Sequence, residues 1–173
     1  MVKVVSAVLA VCVLMFALAG CLGSDKFAQE VEKETGAVKL VREVQRGGYD
    51  IITTAELKGL LDKHEDMVII DTMPYEASYK KEHVPGAKQF LFPIPDMVEW
   101  DVKGTDGKTK EQFIEMLGPD KDKLIVIYCG FVKCTRSHNG AAWAKKLGYT
   151  NVKRYPGGIF AWKGAKNQVE SVK

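Results

Sequence analysis

Two unbroken apolar runs mark the middle of the chain. Met67-Val68-Ile69-Ile70, ending at Asp71, and Leu124-Ile125-Val126-Ile127 are short and rich in β-branched residues. Runs of this length and type predict strands buried on both faces. Tyr49 to Ile52 and Val152 to Tyr155 predict two shorter strands, and a turn leads into Lys88 to Phe92. Between these segments the period changes. Thr53 with Glu56 and Thr109 with Gln112 fit capping boxes. The first opens a helix carrying Leu57, Leu60 and Leu61 inward; the second opens one carrying Phe113, Ile114 and Leu117, stopped by Gly118-Pro119. Pro74 suits the first turn of a short helix through Tyr75 and Tyr79. After Ser137, Gly140, Trp143, Ala144 and Leu147 recur at helical spacing, ending in Lys145, Lys146 and Gly148. Pro156-Gly157-Gly158 turns the chain into a last short helix, Ile159 to Trp162. Trp143, Phe160 and Trp162 are expected in the core. Strands alternating with helices predict an α/β domain with a mostly parallel sheet covered on both faces. Sites in such sheets lie beyond the carboxyl ends of the strands, where Asp71 and Cys129 stand.

The amino-terminal end follows a different rule. Lys3 precedes a continuous apolar stretch from Val4 to Ala17, then Leu18-Ala19-Gly20-Cys21. The stretch is short for a bilayer span. The L-A-G-C box resembles that of bacterial lipoprotein signals, whose cysteine becomes the lipidated amino terminus. The expectation is a signal over residues 1–20, lipid on Cys21, and a protein anchored to a bacterial membrane on its extracytoplasmic side. An ordinary secretory signal or a single membrane helix is the alternative. Residues 21–48 read as a tether with a short helix broken near Gly36, and residues 49–173 as the folded domain. The formal charge of +3 falls to +2 when Lys3 leaves with the signal. No dense basic run with interleaved aromatics is present, so nucleic acid is not an indicated partner.

Four cysteines occur. With Cys12 in the signal and Cys21 lipidated, Cys129 and Cys134 remain, both in the loop Y-C-G-F-V-K-C-T-R-S that joins the 124–127 strand to the next helix. A disulfide staple is the ordinary reading of paired cysteines outside the cytoplasm. Here it would close a tiny loop and add little through chain entropy. Chemistry is the better reading. Cys129 at a strand end, before a helix amino terminus and near Lys133, Arg136 and His138, is expected to favour its thiolate, the nucleophilic form. The same loop suits a small anion. His138 is expected as a surface or capping residue and not as a base.

From about Ile52 to Gly164 the chain resembles a single rhodanese domain. The matching pieces are Val68-Ile69-Ile70-Asp71, Tyr75-Glu76-Ala77-Ser78-Tyr79, Glu82-His83-Val84-Pro85-Gly86-Ala87, the strand into Cys129, Arg136-Ser137 opening a helix, and Tyr155-Pro156-Gly157-Gly158 through Trp162. Two departures stand out. The family usually has an Arg two residues after the strand-end Asp, where this chain has Met73. Arg136 follows Cys129 by seven positions, so the active loop is two residues longer than usual and holds a second thiol. The related phosphatases and arsenate reductases place His before the cysteine and Arg six after it; here those positions are Tyr128 and Thr135.

The resemblance implies a sulfurtransferase in which Cys129 carries a persulfide, taken from thiosulfate, polysulfide or an organic persulfide and passed to a thiol or another thiophilic acceptor. Gly130, Phe131, Val132, Lys133, Thr135, Arg136 and Ser137 are assigned to substrate binding, Asp71 and His83 to structural support, and Cys134 to a second-thiol role. The double displacement calls for no metal or organic cofactor. Its partners are the small sulfur donor, the thiol acceptor, the membrane through Cys21 and an extracytoplasmic sulfur-metabolism partner. Two rivals stand beside it: a non-catalytic sulfur-carrier module, and a thiol-disulfide redox protein using Cys129 and Cys134.

Overall fold

The computed structural model describes residues 25–172; the signal segment and Cys21 lie outside the described residues. The chain divides into a unit ending at Ala37 and a larger one beginning at Val38. Helix α1 covers Lys26–Gly47. It runs through Gly36 without a break, unlike the short interrupted helix the sequence predicts. Its second half is also not a bare tether, since Glu43 is buried within the larger unit.

The remaining elements follow in order: β1 (Asp50–Ile51), α2 (Thr54–Asp62), β2 (Met67–Asp71), a single π-helical turn (Tyr75–Tyr79), β3 (Lys88–Gln89), α3 (Lys110–Leu117), β4 (Leu124–Tyr128), α4 (Arg136–Lys146), β5 (Val152–Tyr155) and α5 (Gly158–Gly164). Both predicted capping boxes are present, at Thr53 with Glu56 and at Thr109 with Gln112. The five strands form one sheet in the order β1-β5-β4-β2-β3. Every pairing is parallel. Side chains of a strand alternate between faces, and β4 shows the result. Ile125 and Ile127 join a core with Ile70, Phe90, Phe92, Phe113, Leu117, Ala141 and Ala144. Val126 and Tyr128 join a second core with Leu57, Ile69, Ile159 and Trp162 on the other face. Both faces are apolar because both are covered, as a parallel sheet requires.

Trp143 and Trp162 are core residues as expected, but Phe160 is 64% exposed. It lies on the outward side of α5, where its ring meets that of Phe131 at 5.6 Å between centroids.

The two central strand ends stand side by side, with Asp71 paired to Tyr128. The chain leaves β4 directly into the cysteine loop, and α5 closes over the loop's start. The N–H groups of Ile159 and Phe160 donate to the carbonyls of Cys129 and Gly130, each at 3.0 Å. This approach is permitted by Gly158, which has φ +60° and would place a Cβ 2.2 Å from the Cys129 carbonyl oxygen. A side chain there meets both a strained backbone and an immovable atom. Gly158→Ala is therefore expected to cost about 2–4 kcal/mol in urea unfolding and to abolish any activity that depends on the loop. A variant of wild-type stability would show that the α5–loop contact is not tight.

Candidate functional site

Cys129 is completely buried, while Cys134 is half-buried nearer the surface; both are free thiols. The Cys129 sulfur lies 3.0 Å from the Ser137 hydroxyl oxygen and 3.5 Å from the Cys134 carbonyl oxygen. The two thiols influence each other directly. The N–H groups of Arg136 and Gly130 donate to the Cys134 sulfur. These donors hold the Cys134 thiol down to about 6, the Cys129 thiol being the largest influence. Burial, with the neighbouring Cys134 sulfur, pushes the Cys129 thiol well above its ordinary range. Sequence reasoning expects the thiolate on Cys129. Burial opposes a charge there, and the donors that the longer loop brings to its second sulfur favour one on Cys134.

The loop's carbonyls are drawn to the opposite side. Arg154, on β5 between β1 and β4, is fully buried. Its Nη2 donates to the carbonyls of Cys134 at 2.8 Å and Val132 at 3.4 Å, and its Nε donates to the Ser137 hydroxyl at 2.8 Å. Ser137 accepts from Arg154, so its own hydrogen is available to the Cys129 sulfur. The Arg154 charge is balanced by Glu43 of α1, which accepts from Nη1 at 2.5 Å. Tyr49 bridges Nη1, at 3.3 Å, and His138 Nδ1, at 2.8 Å. Lys39 supports the rim, donating to the Lys133 carbonyl at 2.7 Å and the Thr135 hydroxyl at 2.9 Å, and lies 3.5 Å from Glu43.

The predicted site residues separate into layers. Phe131, Val132 and Lys133 are exposed at the rim. Gly130 lies beneath them, and Met73 would meet a Cβ built there at 3.6 Å. Thr135 and Ser137 are buried and support the loop from below. Arg136 sends Nη1 to the Phe92 carbonyl, so its side chain braces the loop while its N–H serves the cradle. His138 is neither a surface residue nor a source of charge: it is buried and desolvation lowers its basicity. Asp71 accepts the Met73 N–H at 2.8 Å, and burial raises its carboxyl to about 6. His83 holds the Tyr79 carbonyl through Nδ1 at 2.8 Å and stacks on the Tyr79 ring.

Arg154, Glu43, Tyr49 and Lys39 escape sequence reasoning. The available signal was Arg154 itself, a charged residue within a strand whose neighbours, Val152 and Tyr155, are buried. Among the described residues no cluster of His, Cys, Asp and Glu is suited to hold a metal ion.

A family model described as rhodanese-like domain matches residues 53–165. The chain belongs to the rhodanese-like domain family. No curated protein matches it by sequence. Among solved structures, it is similar in fold to thiosulfate sulfurtransferase from Pseudomonas aeruginosa, with 21% identity and a TM-score of 0.57 over 80% of this chain and 23% of that one. The polysulfide-sulfur transferase homodimer of Wolinella succinogenes is similar over 80% of this chain and 89% of that one, at 14% identity and a TM-score of 0.54. A Bacillus halodurans protein is similar over 79% and 87%, at 24% identity and a TM-score of 0.51. The parallel order β1-β5-β4-β2-β3, with the cysteine loop at the end of β4, is therefore that of a rhodanese-like domain. Glu43, Lys39 and Tyr49 lie outside the matched segment, so the loop of this rhodanese-like protein is anchored partly by residues the family model does not include.

Two outcomes are expected. Arg154→Met removes one partner of a buried ion pair and should cost about 3–5 kcal/mol, with part recovered in Arg154→Met/Glu43→Met; a loss below about 1 kcal/mol would show that the pair does not hold the loop. Iodoacetamide labelling against pH should reveal one thiolate titrating near 6, mapping to Cys134 by peptide mass. The label falling first on Cys129 would reverse the assignment of charge.

Proposed function

We propose that this protein is a sulfurtransferase moving sulfane sulfur from a polysulfide, a persulfide or thiosulfate to a thiophilic acceptor, with the sulfur carried as a persulfide on Cys129. The observation that carries this reading is the pair of free thiols in one loop at the end of β4, with the Cys129 sulfur 3.0 Å from the Ser137 hydroxyl. Transfer of the Cys129 proton to Cys134 makes Cys129 the thiolate. The Ser137 hydroxyl, polarised by Arg154, stabilises the charge as it appears. The Cys129 thiolate attacks the sulfane sulfur of the donor; the Cys129–sulfur bond forms, the bond to the donor's remaining atoms breaks, and the leaving group departs with that bond's electron pair while Cys134 keeps the proton. The new outer sulfur then takes the N–H groups of Gly130 and Arg136. An acceptor thiolate removes it in a second displacement and returns Cys129 to the resting state.

The mouth supports a choice among donors. Met73, Phe131, Val132 and Phe160 give it a largely apolar rim, to which Lys133 adds a cation. The Arg136 side chain is committed to the Phe92 carbonyl, and Arg154 is committed below the loop. Thiosulfate concentrates charge on its sulfonate oxygens and calls for several cations there. A polysulfide spreads its charge over polarisable sulfur, an organic persulfide carries a single charge, and both fit this rim better. The lipoprotein reading of Leu18 to Cys21 would place the reaction on a membrane surface, with Cys21 as the anchor. Among the described residues no helix is long and apolar enough to cross a membrane.

Cys129→Ser is near-isosteric but leaves a far weaker nucleophile at neutral pH. Sulfur transfer from polysulfide to a thiol should fall by three orders of magnitude or more, to about background, with circular dichroism and unfolding midpoint retained. Wild type should also turn over polysulfide faster than thiosulfate. Persulfide formation in Cys129→Ser would move the first attack to Cys134.

A further inference from the structure

Cys134 is more than a base in this site. Its backbone is fixed at both ends: its N–H donates to the Phe131 carbonyl at 3.0 Å and its carbonyl accepts from Arg154 Nη2 at 2.8 Å. Between those anchors its carbonyl oxygen lies 3.5 Å from the Cys129 sulfur, and both thiols of the loop are free. A persulfide on Cys129 would therefore form beside a second thiol. A single external acceptor suffices for sulfur transfer, so transfer alone does not require this arrangement.

We propose that Cys134 resolves the Cys129 persulfide, giving this domain a second activity as a sulfane-sulfur reductase that releases hydrosulfide. The Cys134 thiol passes its proton to the outer sulfur of the persulfide and, as the thiolate, attacks the inner sulfur. The Cys134–Cys129 sulfur bond forms and the bond from the inner to the outer sulfur breaks. The electron pair of that bond leaves on the outer sulfur, which departs as hydrosulfide. Two cysteine thiols are oxidised to a disulfide, and one sulfane sulfur is reduced to sulfide. A dithiol reductant, small or carried on a protein, then reopens the disulfide by thiol–disulfide exchange. The choice between transfer and reduction depends on whether an external thiol reaches the outer sulfur before Cys134 reaches the inner one.

This inference rests on the persulfide of Cys129, and the experiment separates the two. Fully reduced full-length protein is exposed anaerobically to an equimolar polysulfide with no added thiol, and sampled over time for intact mass, released hydrosulfide and alkylatable thiols. Wild type should release one hydrosulfide per chain, become lighter by two hydrogens and lose both alkylatable thiols. Cys134→Ser and Cys134→Ala should instead stay heavier by one sulfur, with a persulfide lifetime at least about tenfold longer and no hydrosulfide until a thiol is added. If both variants load sulfur but wild type keeps its persulfide equally long, resolution by Cys134 is wrong while the carrier role of Cys129 stands. If Cys129→Ser gains sulfur on Cys134, the carrier role of Cys129 is wrong and the resolution scheme falls with it.

Discussion

A sharp loop at a strand end has as many carbonyls as N–H groups, and an anion-binding loop must direct the two apart. In this rhodanese-like protein the separation depends on one buried cation. Arg154 takes the carbonyls of Val132 and Cys134 from below, while the first turn of α5 takes those of Cys129 and Gly130. With the carbonyls engaged, the N–H groups of Gly130 and Arg136 face the sulfur. Burying a guanidinium is costly, and a carboxylate in direct contact offsets that cost. Glu43 supplies it from α1, so a helix outside the family match is required for the loop's geometry.

The same arrangement sets the electrostatics of the thiols. Cys129 is too deep to hold a charge at rest, and two carbonyl oxygens, of Cys134 and Phe131, lie within 3.5 and 3.9 Å of its sulfur. Cys134 is closer to solvent and holds the donors. Burial therefore opposes a negative charge on the inner sulfur, and the surrounding donors favour it on the outer one.

The sheet was legible because both faces are buried: β2 and β4 are apolar without interruption, and no other arrangement covers both sides of such runs. The capping boxes at Thr53 and Thr109 were legible because their partners are three residues away. Local reasoning reached as far as Cys129 at a strand end. It missed the ownership of the cradle, because Gly130 and Arg136 serve Cys134 only once the loop has closed. It missed Arg154, whose partners Glu43 and Tyr49 are separated from it by 111 and 105 positions. Phe160 was misjudged because a short apolar helix does not show which side faces out. Gly36 was misjudged as a breaker because a single glycine costs a helix only about 1 kcal/mol, too little to interrupt one of 22 residues.

In the transfer proposed above, the second thiol also changes how a donor would gain entry. While Cys134 is a thiolate, it occupies the N–H groups that a persulfide anion needs, and hydrogen bonds to a charged acceptor are worth about 1.5–3 kcal/mol each. A donor cannot displace it simply by binding. Once Cys129 passes its proton across, Cys134 becomes a neutral thiol and a weak acceptor, and its claim on Gly130 and Arg136 lapses. The sulfur arriving on Cys129 carries charge at that moment and takes those donors. Under that proposal the cradle changes occupant with the proton, so the site would be closed to anions at rest and open to the persulfide as it forms. A loop of ordinary length, with one thiol, has no such internal competitor. The two additional residues would thereby couple proton position to sulfur loading.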